Sequence, residues 1–240
     1  MIKRLISYYW VIRYTFQKWL WDRSTNNSVI NGCALMYHHV TDEDVAINDS
    51  CKCTIQEFKS VLLQFKNEGR ILISVDGMLE IINNKRPVKF AVVTFDDVPD
   101  NFYTNAYPFL KNNEIPFILF ITTDFIGKKG YLSMDQMIEL DKDPLCTIGA
   151  HTLTHPMLRR VKNSKEELVE SKRILEEILG HQVNYLAYPF GRPSSVSKRI
   201  MKEAKQAGYL CAFGTIQSFL TDKSSNHRYY LPRIVKKSIN

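Results

Sequence analysis

The sequence predicts an α/β fold, with one parallel sheet, open or closed, covered by helices. Three observations predict it. Short apolar runs rich in β-branched residues alternate with segments of helical periodicity. The polar residues able to do chemistry stand directly after those runs, where parallel sheets build their sites. No linker, internal repeat or low-complexity tract divides the 240 residues, so one domain is the simplest parse.

Residues 1–31 form an N-terminal segment ahead of a domain over 32–240. Met1 to Ser24 holds Tyr8, Tyr9, Trp10, Tyr14, Phe16, Trp19 and Trp21 among Lys3, Arg4, Arg13, Lys18 and Arg23. No apolar run in it approaches the ~20 residues that span a bilayer. No small-residue cleavage site follows a clean apolar core, so a secretory signal is not expected. As a helix, the segment either docks its aromatics on the domain or lies at a membrane interface, where aromatics and positive charge both suit. The expected location is cytoplasmic, peripheral to the membrane if the second reading holds.

Ala34 to Tyr37 is the first strand candidate, and the polar stretch Thr41 to Lys52 reads as a loop. Thr54 to Glu68 reads as a helix, with Thr54 and Glu57 as a capping box and Gly69 as its stop. Phe90 to Phe95 is a buried strand. Tyr103 to Asn112 is helical, interrupted by Pro108. Phe117 to Thr122 and Thr147 to Ala150 are strands. Ser164 to Leu179 is the clearest helix, with Ser164 and Glu167 as a second capping box and Gly180 as its end. Tyr185 to Tyr188 is a strand, Ser197 to Gln206 a helix, and Tyr209 to Phe213 and Tyr230 to Val235 the last strands. Thr221 to Arg228 reads as a loop.

Composition narrows the function classes. Thirty-two basic residues against 25 acidic ones give a net charge of +7. That excess suits nucleic acid, an anionic membrane or an anionic glycan and selects none of them. No basic run with interleaved aromatics occurs inside the domain, which argues against nucleic acid. The five cysteines, Cys33, Cys51, Cys53, Cys146 and Cys211, are odd in number and sparse. They read as reduced thiols rather than a disulfide framework or a zinc knuckle.

Four strand ends carry the candidate chemistry. Asp96 and Asp97 follow Phe90–Phe95. Adjacent carboxylates at a strand end point to opposite sides, so one can bind a cation while the other stays free as a base. A solvated turn before Pro99 is the plainer alternative. His151 and His155 face the same way if their segment coils into a helical turn, and both then reach one metal. Tyr188-Pro189-Phe190-Gly191 is a turn able to offer a backbone N–H to a developing oxyanion, or simply a turn. His38 and His39 follow the first strand, and one of them suits a general acid. Arg233 stands at the edge of the last strand and is placed to orient Asp96, unless it is a surface arginine.

Thr94-Phe95-Asp96-Asp97, His151-Thr152-Leu153-Thr154-His155 and Tyr188-Pro189-Phe190-Gly191, in that order, resemble the polysaccharide deacetylase family. This is the NodB-homology domain of carbohydrate esterase family 4. The resemblance runs from about Gly32 to Val235. Met36-Tyr37-His38-His39-Val40 is similar to the branch that includes poly-N-acetylglucosamine deacetylases. The resemblance implies a distorted (β/α) barrel of about seven parallel strands. It implies one divalent metal, zinc first and cobalt, nickel or manganese as alternatives, held by Asp97, His151 and His155. It makes Asp96 the base, the Phe190 N–H the oxyanion donor with the metal, and His38 the general acid. The implied reaction removes N-acetyl groups from an amino sugar or glycan and releases acetate. O-deacetylation, another amide hydrolysis, or a degenerate glycan-binding domain are the alternatives.

Three departures from the family pattern stand out. Val98 and Pro99 follow the aspartate pair where the family has Gly, which is expected to narrow or reshape the substrate groove. Ala187 replaces the usual Arg two residues before the Pro, and Arg233 is the candidate substitute. The Leu-x-His motif near the C-terminus is missing, and the last histidine, His227, falls in the polar Thr221–Arg228 stretch.

Overall fold

The computed structural model describes residues 2–25, 28–43 and 51–235. Helix α1 (Ile2–Thr25) precedes the domain. The chain then lays down β1 (Asn31–Tyr37), β2 (His39–Val40), β3 (Lys52–Cys53), α2 (Ile55–Asn67), β4 (Ile71–Leu72), α3 (Val75–Asn84) and β5 (Lys89–Asp96). It continues through α4 (Tyr107–Asn112), β6 (Phe117–Ile121), α5 (Met134–Asp141), β7 (Cys146–Ala150), α6 (Ser164–Leu179), β8 (Tyr185–Ala187), α7 (Lys198–Gln206) and β9 (Cys211–Phe213).

Seven strands form one sheet in the order β1-β5-β6-β7-β8-β9, with β4 pairing β5. Every strand pairing in it is parallel. Strands β2 and β3 form a separate two-stranded ladder. The sheet curls, and residues after β9 bridge its two ends. Leu231 bridges Phe213 and Ile234 bridges Leu35, so this segment spans the gap between β9 and β1. The architecture is therefore the distorted, roughly seven-stranded α/β barrel expected from the sequence. Tyr230 to Val235, expected as a strand, makes only these isolated bridges. Pro232 has no N–H, so a continuous ladder cannot run through it.

Alternation along the strands divides the core. In β5, Ala91, Val93 and Phe95 belong to the larger cluster, together with Phe58, Val61 and Leu62 of α2 and Leu168 and Leu175 of α6. Phe90 and Val92 belong to the second, with Met78, Leu79 and Ile82 of α3, Phe120 of β6 and Phe213 of β9. Each large apolar side chain so buried contributes about 1.5–3 kcal/mol.

Local chemistry explains most element boundaries. Thr54 and Glu57 form the expected capping box at the start of α2. The expected box of Ser164 and Glu167 does not form. Asn163 is the N-cap of α6 and makes no side-chain cap bond. The Ser164 hydroxyl instead donates to Glu203, and Glu167 is engaged elsewhere. The expected helix over 103–112 divides into a π-helical turn, Phe102–Ala106, and α4. Pro108 has no N–H to close an α-turn onto Thr104, and Tyr107 donates to the carbonyl of Phe102 instead. The expected loop Thr221–Arg228 contains a 3₁₀ helix, Asp222–His227, capped by Thr221 and Ser224. Of the expected loop Thr41–Lys52, residues 44–50 lie outside the described residues, and Lys52 pairs with His39 in the small ladder.

Helix α1 docks one face on the domain. Tyr14 Oη accepts from the Gln217 N–H at 3.2 Å, and the Ser218 hydroxyl donates to Asp22 at 2.7 Å. Trp21 is buried with its ring 5.2 Å from the His227 ring, and the Arg159 guanidinium lies 4.9 Å over Trp10.

Candidate active site

All strands of a parallel sheet end at the same rim, and that geometry gathers the candidate residues. β1 delivers His38, β5 ends on Asp96 and delivers Asp97, β7 delivers His151, and β8 leads into Tyr188-Pro189-Phe190-Gly191.

The two aspartates diverge. Asp96 is 2% exposed and turns into the barrel. There Arg233 donates from Nη1 to its Oδ1 and from Nη2 to its Oδ2, both at 2.6 Å. Arg233 is itself fully buried. Its Nε donates to the Gly214 carbonyl at 3.0 Å and its Nη1 to Thr94 Oγ1 at 3.1 Å. Its guanidinium lies 5.6 Å from the Phe120 ring centroid and 6.0 Å from that of Phe213. Burial pushes the Asp96 carboxyl up, but Arg233, with His151 and His38, outweighs it and holds the group well below the usual carboxylate range.

Asp97 turns the other way, toward the histidines. Its Oδ1 lies 3.5 Å from His155 Nε2 and 3.9 Å from His151 Nε2. The Thr122 hydroxyl donates to the same oxygen at 3.3 Å. The turn that separates the two carboxylates is left-handed at both Asp97 (φ 60°) and Val98 (φ 42°). Val98 is 1% exposed and lines, with Asp97, Thr122 and Phe125, a small pocket beside the rim. Its left-handed backbone also sets the turn that carries Asp97.

His151 and His155 meet without the expected helical turn. The chain between them is irregular and passes through the left-handed region at Thr152 and at His155. Thr152 Oγ1 accepts from the His155 N–H at 3.1 Å. Glu167, from the first turn of α6, accepts from the Leu153 N–H, the Thr154 N–H and the Thr154 hydroxyl at 3.1, 2.9 and 2.7 Å. This buried carboxylate shapes the loop that carries both histidines, and sequence reasoning assigned it to a cap instead.

The fit of these residues to a metal can be judged from their hydrogen bonds. His151 Nδ1 lies 2.8 Å from the Ala187 carbonyl, to which it donates, leaving the Nε2 lone pair facing Asp97. Carbonyl-fixed tautomers of this kind are usual among metal-ligating histidines. Burial lowers the His151 pKa against the pull of Asp96 and Asp97, which favours the neutral imidazole that a ligand must be. One donor atom from each of Asp97, His151 and His155 lies within 4.8 Å of the others. Two imidazoles and one carboxylate fit a divalent transition metal with coordination positions left open.

Phe190 closes the rim. The residue is 51% exposed, and its ring lies 5.1 Å from the His155 ring. It stands at φ 60°, and among the described residues no acceptor takes its N–H. Gly191 follows at φ 50°, where a Cβ would meet Thr215 Cγ2 at 2.6 Å, so only glycine fits this turn. Tyr230 Oη donates to the Gly191 carbonyl at 2.9 Å and the Thr215 hydroxyl to that of Phe190 at 3.0 Å.

Of the paired histidines, His38 is close enough to both aspartates to feel their charge. Burial lowers its pKa, while Asp96 and Asp97 pull the other way. His39 is in the small ladder, where Asn101 Nδ2 donates to its Nδ1 at 3.1 Å. His227 packs its ring, tilted by 58°, against Trp21.

Known proteins are similar to this chain. The family model described as polysaccharide deacetylase matches residues 83–212. The Bacillus subtilis protein YxkH is 27% identical over 179 residues, covering 73% of this chain and 61% of that protein. The chain thus spans less than two thirds of that relative. A poly-β-1,6-N-acetyl-D-glucosamine N-deacetylase of Staphylococcus aureus is 26% identical over 229 residues, covering 84% of this chain and 77% of the relative. The structure of the Streptococcus pyogenes deacetylase PplD in complex with acetate aligns with a TM-score of 0.76 at 25% identity, covering 85% of this chain and 92% of that one.

Proposed function

The chain belongs to the polysaccharide deacetylase family, and on that footing we propose that it hydrolyses the N-acetyl groups of an amino-sugar glycan, releasing acetate and a free amine. The observation that carries this reading is the division of labour between neighbouring carboxylates. Asp97 joins two histidines, while Asp96 is held apart from them by Arg233. The Staphylococcus aureus relative, named for an N-acetylated glucosamine polymer, and the acetate bound by PplD support the substrate class.

Asp97, His151 and His155 would hold one divalent cation, zinc first, with cobalt, nickel or manganese as chemically acceptable substitutes. When bound, that cation supplies Lewis acidity toward the acetyl carbonyl and makes water a better nucleophile near neutral pH. Asp96, kept anionic and aimed by Arg233, accepts the proton of the attacking water. The Phe190 N–H donates to the carbonyl oxygen as negative charge develops on it. His38 delivers a proton to the amine nitrogen as the C–N bond breaks. Burial leaves His38 unprotonated at rest, so the proton it delivers is the one that Asp96 takes from the water.

The test is acetate release from N-acetylated and O-acetylated glucosamine oligomers by the metal-loaded chain. Asp97→Ala and His151→Ala are expected to lose metal and activity together. Asp96→Asn is expected to keep the metal and lose turnover. No acetate from any N-acetylated substrate, or full activity in Asp96→Asn, would overturn the assignment.

A further inference from the structure

We propose that α1 is an interfacial helix, docked by its inner face on the domain and resting by its outer face on an anionic lipid bilayer. Trp10, Tyr14, Gln17 and Trp21 recur at helical spacing and form the partly or fully buried inner face. The opposite face is also apolar. Tyr8, Ile12, Phe16 and Trp19 are 67%, 66%, 55% and 47% exposed, and Leu20 extends the same surface. A helix docked on a soluble domain ordinarily turns polar residues outward. Here both faces are apolar, and among the described residues only one is covered.

Charge and chemistry name the occupant. Residues 1–24 carry five basic residues against one acid, Asp22. That acid is engaged by Lys18 and by the Ser218 hydroxyl, while Arg23 is exposed. Arg159 and Arg160 are exposed on the adjoining loop, with Arg159 over Trp10. Tyrosine and tryptophan, with an apolar ring and a polar tip, suit the headgroup boundary. A second copy docking by the same face would bring two basic helices together, whereas anionic headgroups neutralise them. Among the described residues no helix is long and apolar enough to cross a membrane, so the helix would lie along the surface for about 36 Å of its axis.

The contacts of α1 also place it beside the active-site rim. Arg159 is four residues beyond His155, and Gln217, which donates to Tyr14, is two residues beyond Thr215, which donates to the Phe190 carbonyl. A bilayer on the outer face would hold the rim near the headgroups, within reach of surface-tethered glycans. That extension to substrate rests on the proposed activity, and the lipid binding does not.

Co-sedimentation of the full chain with vesicles tests the binding. Phosphatidylcholine vesicles, alone and mixed with phosphatidylglycerol, are compared for wild type and for Ile12→Ser/Phe16→Ser/Trp19→Ser. The expected result is about tenfold stronger binding to the mixed vesicles, weakened by salt and lost about tenfold in the variant, at an unchanged thermal unfolding midpoint. Equal binding by both proteins, equal binding to both vesicle types, or no binding at all overturns the proposal. So does a wild type that sediments as a dimer without lipid while the variant is a monomer. Acetate release from soluble oligomers is read separately, so failure of lipid binding and failure of the proposed activity are distinguishable.

Discussion

Arg233 holds both carboxylate oxygens of Asp96 at 2.6 Å although 137 residues separate them, and both side chains are buried. The pair forms because residues 231–234 bridge the two ends of the curled sheet, which turns Arg233 into the barrel beneath the end of β5. The arginine thus ties closure of the barrel to the orientation of a carboxylate at its rim.

Arg233→Ala should therefore affect both stability and pH response. It leaves the Asp96 charge buried without its partner, an expected cost of about 3–5 kcal/mol. With the depressing charge gone, burial raises the Asp96 pKa, so the acid limb of the pH–activity profile moves upward. Arg233→Lys retains a charge but not the two parallel donors, and should fold better than Arg233→Ala while losing turnover. Urea unfolding and pH–rate profiles of the three proteins check this. An unchanged acid limb in both variants would remove Arg233 from the positioning of Asp96.

The motif residues were legible because each follows an apolar run, and parallel strands bring such positions to one rim. Arg233 could be placed near Asp96 from the sequence, though as the end of a strand. Pro232 was the signal that the segment bridges rather than pairs. Glu167 was misread because Ser164 and Glu167 have capping-box spacing, while the free Leu153 and Thr154 donors that claim its carboxylate are visible only in three dimensions. Helix α5 was missed although Ser133 and Gln136 carry a capping-box pattern and form one. Strands β2, β3 and β4 are two residues each, too short for any period to show. The left-handed turns at Thr152 and His155 had no glycine to announce them.

Glu167→Gln should weaken metal binding without unfolding α6. Its carboxylate meets three donors around Leu153 and Thr154, and an amide turns an N–H toward one of them. Loss of such an outer partner ordinarily lowers metal affinity by about 10–100-fold. Zinc titration by calorimetry beside circular dichroism checks it. Unchanged affinity with helicity retained would show that the loop holds its shape without Glu167.

The metal-free protein should lose stability as pH falls below about 6.5, before its carboxylates titrate. His38, His39, His151 and His227 all have pKa values lowered from 6.5 by burial. Each binds a proton in the unfolded chain before it does so in the folded one, so acid favours unfolding between the two values. His181 is raised, chiefly by its hydrogen bond to Asp141, and its stabilising effect is present at low pH and lost as pH rises through its folded value. Four lowered groups against one raised give the net sign. Asp96 adds to the same trend only in stronger acid, because its depressed pKa preserves its contribution until pH falls through that value. Urea midpoints of chelated protein at about pH 7.5 and 5.5 check the trend, and a higher midpoint at the lower pH would contradict it.

Val98 makes a test of stored backbone strain. A β-branched residue at φ 42° stands where glycine is at ease, at a cost of about 1–3 kcal/mol. Its side chain is buried in the same cluster as Leu132 and Met137, which offsets part of that cost. Val98→Ala removes packing and keeps the left-handed penalty. Val98→Gly removes slightly more packing and relieves the penalty. At an ordinary backbone position glycine is about 0.5–1 kcal/mol less stable than alanine. At Val98 the order should reverse, with the glycine variant at least as stable as the alanine variant in urea unfolding. Because this turn separates Asp96 from Asp97, the relaxed glycine variant should also bind zinc less tightly than wild type. A glycine variant clearly less stable than alanine would mean that the turn stores no strain and that Val98 serves only as packing.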